Sequence, residues 1–139
     1  MRADEVLREP ERLGRKILIL AREIDRARMS LLPGGIDYSA DKVQGSPVDK
    51  YPQVMDIILR DEEKLRELTA RRRWLMFERI PKLIASIEND LAKDVIKAYY
   101  TTDATMAEVC EMCSISNATA YRYRYMGEAD IQKVLDTES

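Results

Sequence analysis

The stretch "SISNATAYRYRYM", Ser114 to Met126, alternates tyrosine with arginine from Tyr121 to Tyr125. On its own that alternation fits the two-residue period of a β-strand, which would set three rings on one face. Its flanks argue for a helix instead. Upstream, Thr105 and Glu108 have the spacing of a capping box, in which hydroxyl and carboxylate each satisfy the other's backbone N–H. A short helix therefore starts at Thr105, with Met106, Val109, Cys110 and Cys113 on its inner side. Ser114-Ile115-Ser116 reads as a tight turn in which Ile115 plugs inward and Ser116 caps the next helix. At about 100° per residue, Tyr121 and Tyr125 then share a face with Asn117, Ala118 and Arg122, while Ala120 and Tyr123 point the other way. Short helix, turn, second helix with a polar outer face: this is a helix-turn-helix layout.

The rest of the chain agrees with a helical class. In 139 residues there are five glycines, five prolines and one phenylalanine, with 45% hydrophobic and 35% charged content. That length suits one domain with a modest core, or a small domain on a helical stalk. Two cysteines are too few for a disulfide framework, and no signal peptide or bilayer-length apolar run is visible. A reducing cytoplasm, with no membrane partner, is the expectation. The net charge of -2 decides nothing about nucleic acid, since the placement of Lys and Arg matters more than their sum.

Leu13, Ile17, Leu20, Ile24, Ala27 and Leu31 recur at alternating spacings of four and three, the seam of a helix that packs on another. Pro10 suits its first turn, and Pro33-Gly34-Gly35 stops it. Residues 33–52 are rich in turn formers and read as a connecting loop. After Pro52 the series Val54, Ile58, Leu65, Leu68 and Leu75 predicts a second helix to about Arg79, its seam weakened by Asp61 and Arg72. The two predict an antiparallel hairpin over residues 1–80, with self-association as another use of the same stripe. Pro81 is expected to kink or end the second helix. A third helix runs from about Lys82 or Glu88 to Tyr100, and Thr101 to Asp103 turn. The helix-turn-helix module then occupies residues 81–139, with a short acidic, solvated tail after Gly127.

The stretch from Asp94 to Tyr125 resembles the C-terminal module of RinA/ArpU-like phage transcriptional regulators, itself similar to the promoter-reading helix-turn-helix of bacterial sigma factors. The matching residues are Tyr99, then Glu108, Val109, Cys110 and Glu111, then Ser116, Thr119, Tyr121 and Arg122. "DKVQGS", Asp41 to Ser46, is also similar to a segment these proteins carry upstream. The chain departs from the pattern at Ser114, where a glycine is usual, at Cys110, where alanine is usual, and at Ala120, where a larger aliphatic is usual.

The resemblance implies duplex DNA as partner, with the helix from Asn117 to about Met126 in the major groove. Arg122 would grip a guanine edge and Asn117 an adenine or a phosphate, while Ala118 lets the backbone approach or touches a thymine methyl. Tyr121, Tyr125 and Arg124 would serve phosphates, as would Thr102; Ser116 opens the helix. From Lys93 to Met126 four cations face four carboxylates, so one copy should bind weakly. Homo-oligomerisation through the hairpin, or docking on RNA polymerase, would supply the remainder. Two alternatives are a packaging protein like a small terminase subunit and a helical module that binds protein alone. Cys110 and Cys113 read as core, and Arg71-Arg72-Arg73 as a solvated face among acids. No histidine, phosphate loop or nucleophile motif is present, so neither an enzyme nor a metal or other cofactor is expected.

Overall fold

The apolar seam from Leu13 to Leu31 is carried by one helix, α1 (Ala3–Met29), in a computed structural model that describes residues 1–32 and 47–138. Every helix the sequence implies is there, and no strand occurs among the described residues. α2 (Pro47–Trp74) runs antiparallel to α1: Gly14 meets Arg72 near one end, and Arg28 pairs with Glu62 towards the other. Leu20, Ile24 and Ile58 form the buried core of this hairpin, with Val54, Leu65 and Leu68 packed around it. Arg72, which looked like a flaw in the seam, sits over Gly14, where an added Cβ would stand 3.3 Å from its Nε.

The chain separates into two compact units, Glu11–Arg72 and a second made of Met1–Pro10 with Arg73–Ser139. The contacts therefore divide near Pro10 and Arg73, whereas the sequence placed the boundary at residue 80. Pro10 lies inside α1 instead of opening it. The helix begins at Ala3 because Ala3, Val6 and Leu7 are buried in the second unit, which compensates for the hydrogen bond that Pro10 cannot donate. The second helix likewise starts at Pro47 and carries Pro52 within it, so the expected loop of residues 33–52 is helical over its last residues; Pro33 to Ser46 lie outside the described residues.

Pro81 neither ends the second helix nor interrupts it. Leu75–Arg79 widen into a π-helical turn, and α3 (Ile80–Ala85) continues the rod. The Ile80 N–H reaches back to the Leu75 carbonyl, a five-residue step that takes up the bond and the space an interior proline disrupts. After Ile87, Asn89 caps α4 (Asp90–Ile96) by accepting from the Ala92 N–H at 2.9 Å, and a second π turn, Lys97–Thr101, closes it. α5 (Met106–Cys113) and α6 (Asn117–Glu138) complete the chain.

The expected end of the last helix at Met126 is too early, and the acidic tail is no loose end. Gly127, Ile131 and Leu135, four apart, form one buried stripe on α6. Gln132 accepts from the Ala3 N–H at 2.7 Å and donates to the Met1 carbonyl at 2.9 Å; Glu138 forms a two-pronged pair with Arg79. That pair draws the Glu138 carboxyl below its usual range through the Arg79 hydrogen bonds. Where α6 crosses α4, a Cβ on Gly127 would lie 2.5 Å from Ile96 Cγ1, an atom of a fully buried side chain.

Gly127→Ala is therefore expected to destabilise the protein by about 1–3 kcal/mol from overpacking, despite alanine's gain of up to about 1 kcal/mol in helix propensity. Urea unfolding checks the sign: a variant at least as stable as the parent would mean that the helices do not touch at this point.

Candidate nucleic-acid interface

α5 begins at Thr105, whose backbone N–H donates to Glu108 Oε1 at 3.0 Å while the Glu108 N–H donates to Thr105 Oγ1 at 3.2 Å. Those bonds, the backbone one first, hold the Glu108 carboxyl below its ordinary range. The helix ends in a Schellman motif: the Ser114 N–H donates to the Glu111 carbonyl at 3.3 Å and the Ile115 N–H to the Cys110 carbonyl at 3.0 Å. Ser114 takes the left-handed conformation this requires, at φ 56°, without being the glycine that takes it most easily. Ile115 then turns into a core of Val95, Ala98, Ala104 and Val109. Ser116 caps α6, its hydroxyl accepting from the Thr119 N–H at 3.3 Å.

The two faces of α6 separate as helical phase demands. Ala120 is fully buried and Tyr123 packs against the Val95–Val109 core, whereas Asn117, Ala118, Tyr121, Arg122 and Tyr125 are exposed. Tyr121 and Tyr125 stand side by side, ring centroids 6.3 Å apart. Arg122 lies over the Tyr123 ring at 5.2 Å. Asn117 accepts a hydrogen bond from Cys110 Sγ at 3.0 Å, which orients its amide. Thr102, exposed at the end of the second π turn, donates back to the Ala98 carbonyl at 2.5 Å.

Arg124 departs from its expected role as a flanking phosphate ligand. Its side chain is only 15% exposed, its Nε donates to Glu128 Oε2 at 3.0 Å, and its guanidinium lies 4.4 Å from the centre of the Tyr99 ring. Tyr100, Tyr121 and Tyr125 stand around it within 6.0 Å. Burial by itself would lower the pKa of this group, but the Glu128 bond and the neighbouring tyrosines raise it above the ordinary arginine value. Tyr100 also donates to Glu128, and Arg8 of α1 donates to the Tyr99 hydroxyl at 3.2 Å. Arg124 is thus a positioning group that ties the exposed rings of α6 to Tyr99 and Tyr100. Arg8 and Glu128, and the part of Tyr100 in this cluster, were missed in the sequence. The Arg124–Glu128 spacing of four was the available signal.

Cys110 and Cys113 are both half-buried free thiols. Burial, then the charge of Asp94 and the neighbouring Cys110, push the Cys113 thiol up, which disfavours the reactive thiolate. Among the described residues no cluster of His, Cys, Asp and Glu is placed to hold a metal ion. No described helix is long and apolar enough to cross a membrane.

A turn capped at both ends, set under an exposed helical face of amide, guanidinium and phenols, defines a helix-turn-helix class of module. Residues 34–132, more than half of the chain, match DUF1492, a family described as a protein of unknown function, and the chain belongs to that family. No curated protein and no solved structure matches it.

Ser114→Gly is expected to stabilise the protein by about 0.5–1 kcal/mol by relieving the left-handed strain; a lower denaturation midpoint would contradict this. Tyr100 gives a pH prediction. Burial and then the Glu128 hydrogen bond push its pKa up from 10.0 to about 12. Its contribution to stability is complete below the unfolded tyrosine value near 10 and is lost as pH rises through the folded value. Ultraviolet titration should show a tyrosine step near pH 12, and a Tyr100→Phe variant should lack that step.

Proposed function

We propose that this chain is a phage or prophage transcriptional regulator of the RinA/ArpU-like kind, which reads duplex DNA in the host cytoplasm with the N-terminal half of α6. The observation that carries the reading is the exposure of Asn117, Ala118, Tyr121, Arg122 and Tyr125 on one face of a helix whose opposite face, through Ala120 and Tyr123, is fixed to the rest of its module. In the major groove Arg122 supplies the fork that fits a guanine edge, and Asn117 the amide that fits adenine. Tyr121 and Tyr125 are phosphate donors on the flanks, with Ser116 and Thr102 at the ends of the surface. No cofactor and no catalytic step enter this mechanism.

Charge limits the affinity of a single copy. Arg124 is already paired with Glu128, so Arg122 is the cation that the N-terminal half of α6 offers to bases. Phosphate neutralisation supplies most non-specific affinity, and a module without a cationic surplus needs a second source. Association of two chains through the hairpin would double the contacts, and RNA polymerase would be a further source. Leu18, Ile19 and Leu59 support the first route: all three are more than half exposed on the hairpin helices.

Arg122→Ala should lower sequence-specific binding by about 1–3 kcal/mol at a mapped operator while leaving the fold intact. Arg124→Ala should instead lower the melting temperature, because it removes the partner of a half-buried carboxylate. A gel-shift titration in which Arg122→Ala binds as tightly as the parent would contradict the assignment.

A further inference from the structure

Outside the helix-turn-helix, the second unit carries an apolar groove of about 400 Å³ between the helical rod of residues 75–85 and the segment Lys93–Thr101. The buried Ile80 and Ile84 line it with Met76 and Pro81 from the rod, and Lys93 and Lys97 line it from the facing segment. Both π-helical turns border it: Met76 belongs to the first, Lys97 and Thr101 to the second. Such wide turns recur at functional positions in helices. Phe77, 72% exposed and one turn before Pro81, extends the apolar surface beyond the groove.

We infer that this groove docks an acidic, apolar-faced helix of a partner protein, with a large aliphatic side chain seated on Ile80 and Ile84 and carboxylates set against Lys93 and Lys97. Charge carries the choice of occupant. Lys93 and Lys97 stand one turn apart on the same edge, neither pairs with a carboxylate among the described residues, and no carboxylate lines the groove. Asp94, the acid between them in sequence, does not line the groove. A second copy of this chain is a poor occupant. Two-fold pairing of this surface on itself would set no carboxylate against Lys93 and Lys97, because none lines the groove, and would bury both lysines unpaired. A partner helix with acids flanking one aliphatic anchor matches both the apolar lining and the two lysines. The groove is built from residues other than those of α5 and α6, so this inference does not depend on DNA binding.

The test uses the full chain and two fluorescent synthetic helix-forming peptides with the same leucine face, one flanked by glutamates and one by lysines. The expected result is about tenfold tighter binding of the acidic peptide at low salt, weakening as salt is added. Backbone-amide shifts should centre on Ile84, Lys93, Lys97 and Thr101. Lys93→Glu with Lys97→Glu should reverse the preference, and Lys93→Ala with Lys97→Ala, which adds no new charge, should weaken the acidic peptide alone. Equal binding of both peptides, binding of neither, or shifts elsewhere would overturn the inference. So would concentration-dependent self-association abolished by Met76→Glu, since the occupant would then be a second copy.

Discussion

The second unit depends on the crossing of α6 over α4 at Gly127. A glycine there lets the helix axes approach until Ile96 occupies the space a side chain would take, within 3.4 Å of the Ala92 carbonyl for any added Cβ. On one side of the crossing, Ile131, Leu135, Gln132 and Glu138 bind α6 to the core, to the chain's first residues and to Arg79. On the other side, Ala120 and Tyr123 rest on the module while the residues between them face outward. The half buried by packing gives the other half a fixed direction. A rigid presenting face is what the proposed groove-reading role requires of the helix, since displacement would forfeit base contacts.

The Arg124 cluster does the same at side-chain level. A guanidinium held by Glu128 and surrounded by Tyr99, Tyr100, Tyr121 and Tyr125 joins the exposed ring pair to the helix beneath. Arg8 approaches Tyr99 and Tyr100 at 5.6 and 5.4 Å from the ring centres, so the beginning of the chain takes part as well. Arginine on aromatic faces contributes about 0.5–2 kcal/mol per contact depending on desolvation. Two arginines separated by one residue therefore serve opposite ends: Arg122 faces out and Arg124 holds the face in place.

What the sequence made legible was the local grammar. The Thr105–Glu108 box, the turn at Ser114, the inward Ile115, the Ser116 cap and the division of rings between Tyr123 and the Tyr121–Tyr125 pair all follow from spacing and hydrogen-bonding chemistry within a few residues. The seam from Leu13 to Leu31 was legible for the same reason. What escaped were effects of distant packing. Pro10, Pro52 and Pro81 looked like helix boundaries, yet buried neighbours and a π turn carry the helices through them. The stripe of Gly127, Ile131 and Leu135 was hidden because a glycine carries no apolar signal and Glu128, Asp130 and Asp136 surround it. Within the candidate surface, exposure of Asn117, Ala118, Tyr121, Arg122 and Tyr125 followed from helical phase. The confinement of Arg124 depended on Tyr99 and Tyr100, more than twenty residues away.

The proposed recognition surface is tested most directly by titrating duplex DNA onto the isotope-labelled full chain and following each backbone amide. Perturbation concentrated on Asn117 to Tyr125 and at Thr102, with Glu11 to Arg72 unmoved in a single copy, is the result that a reading helix requires. Perturbation confined to the hairpin, or no change at any amide at low salt, would contradict it.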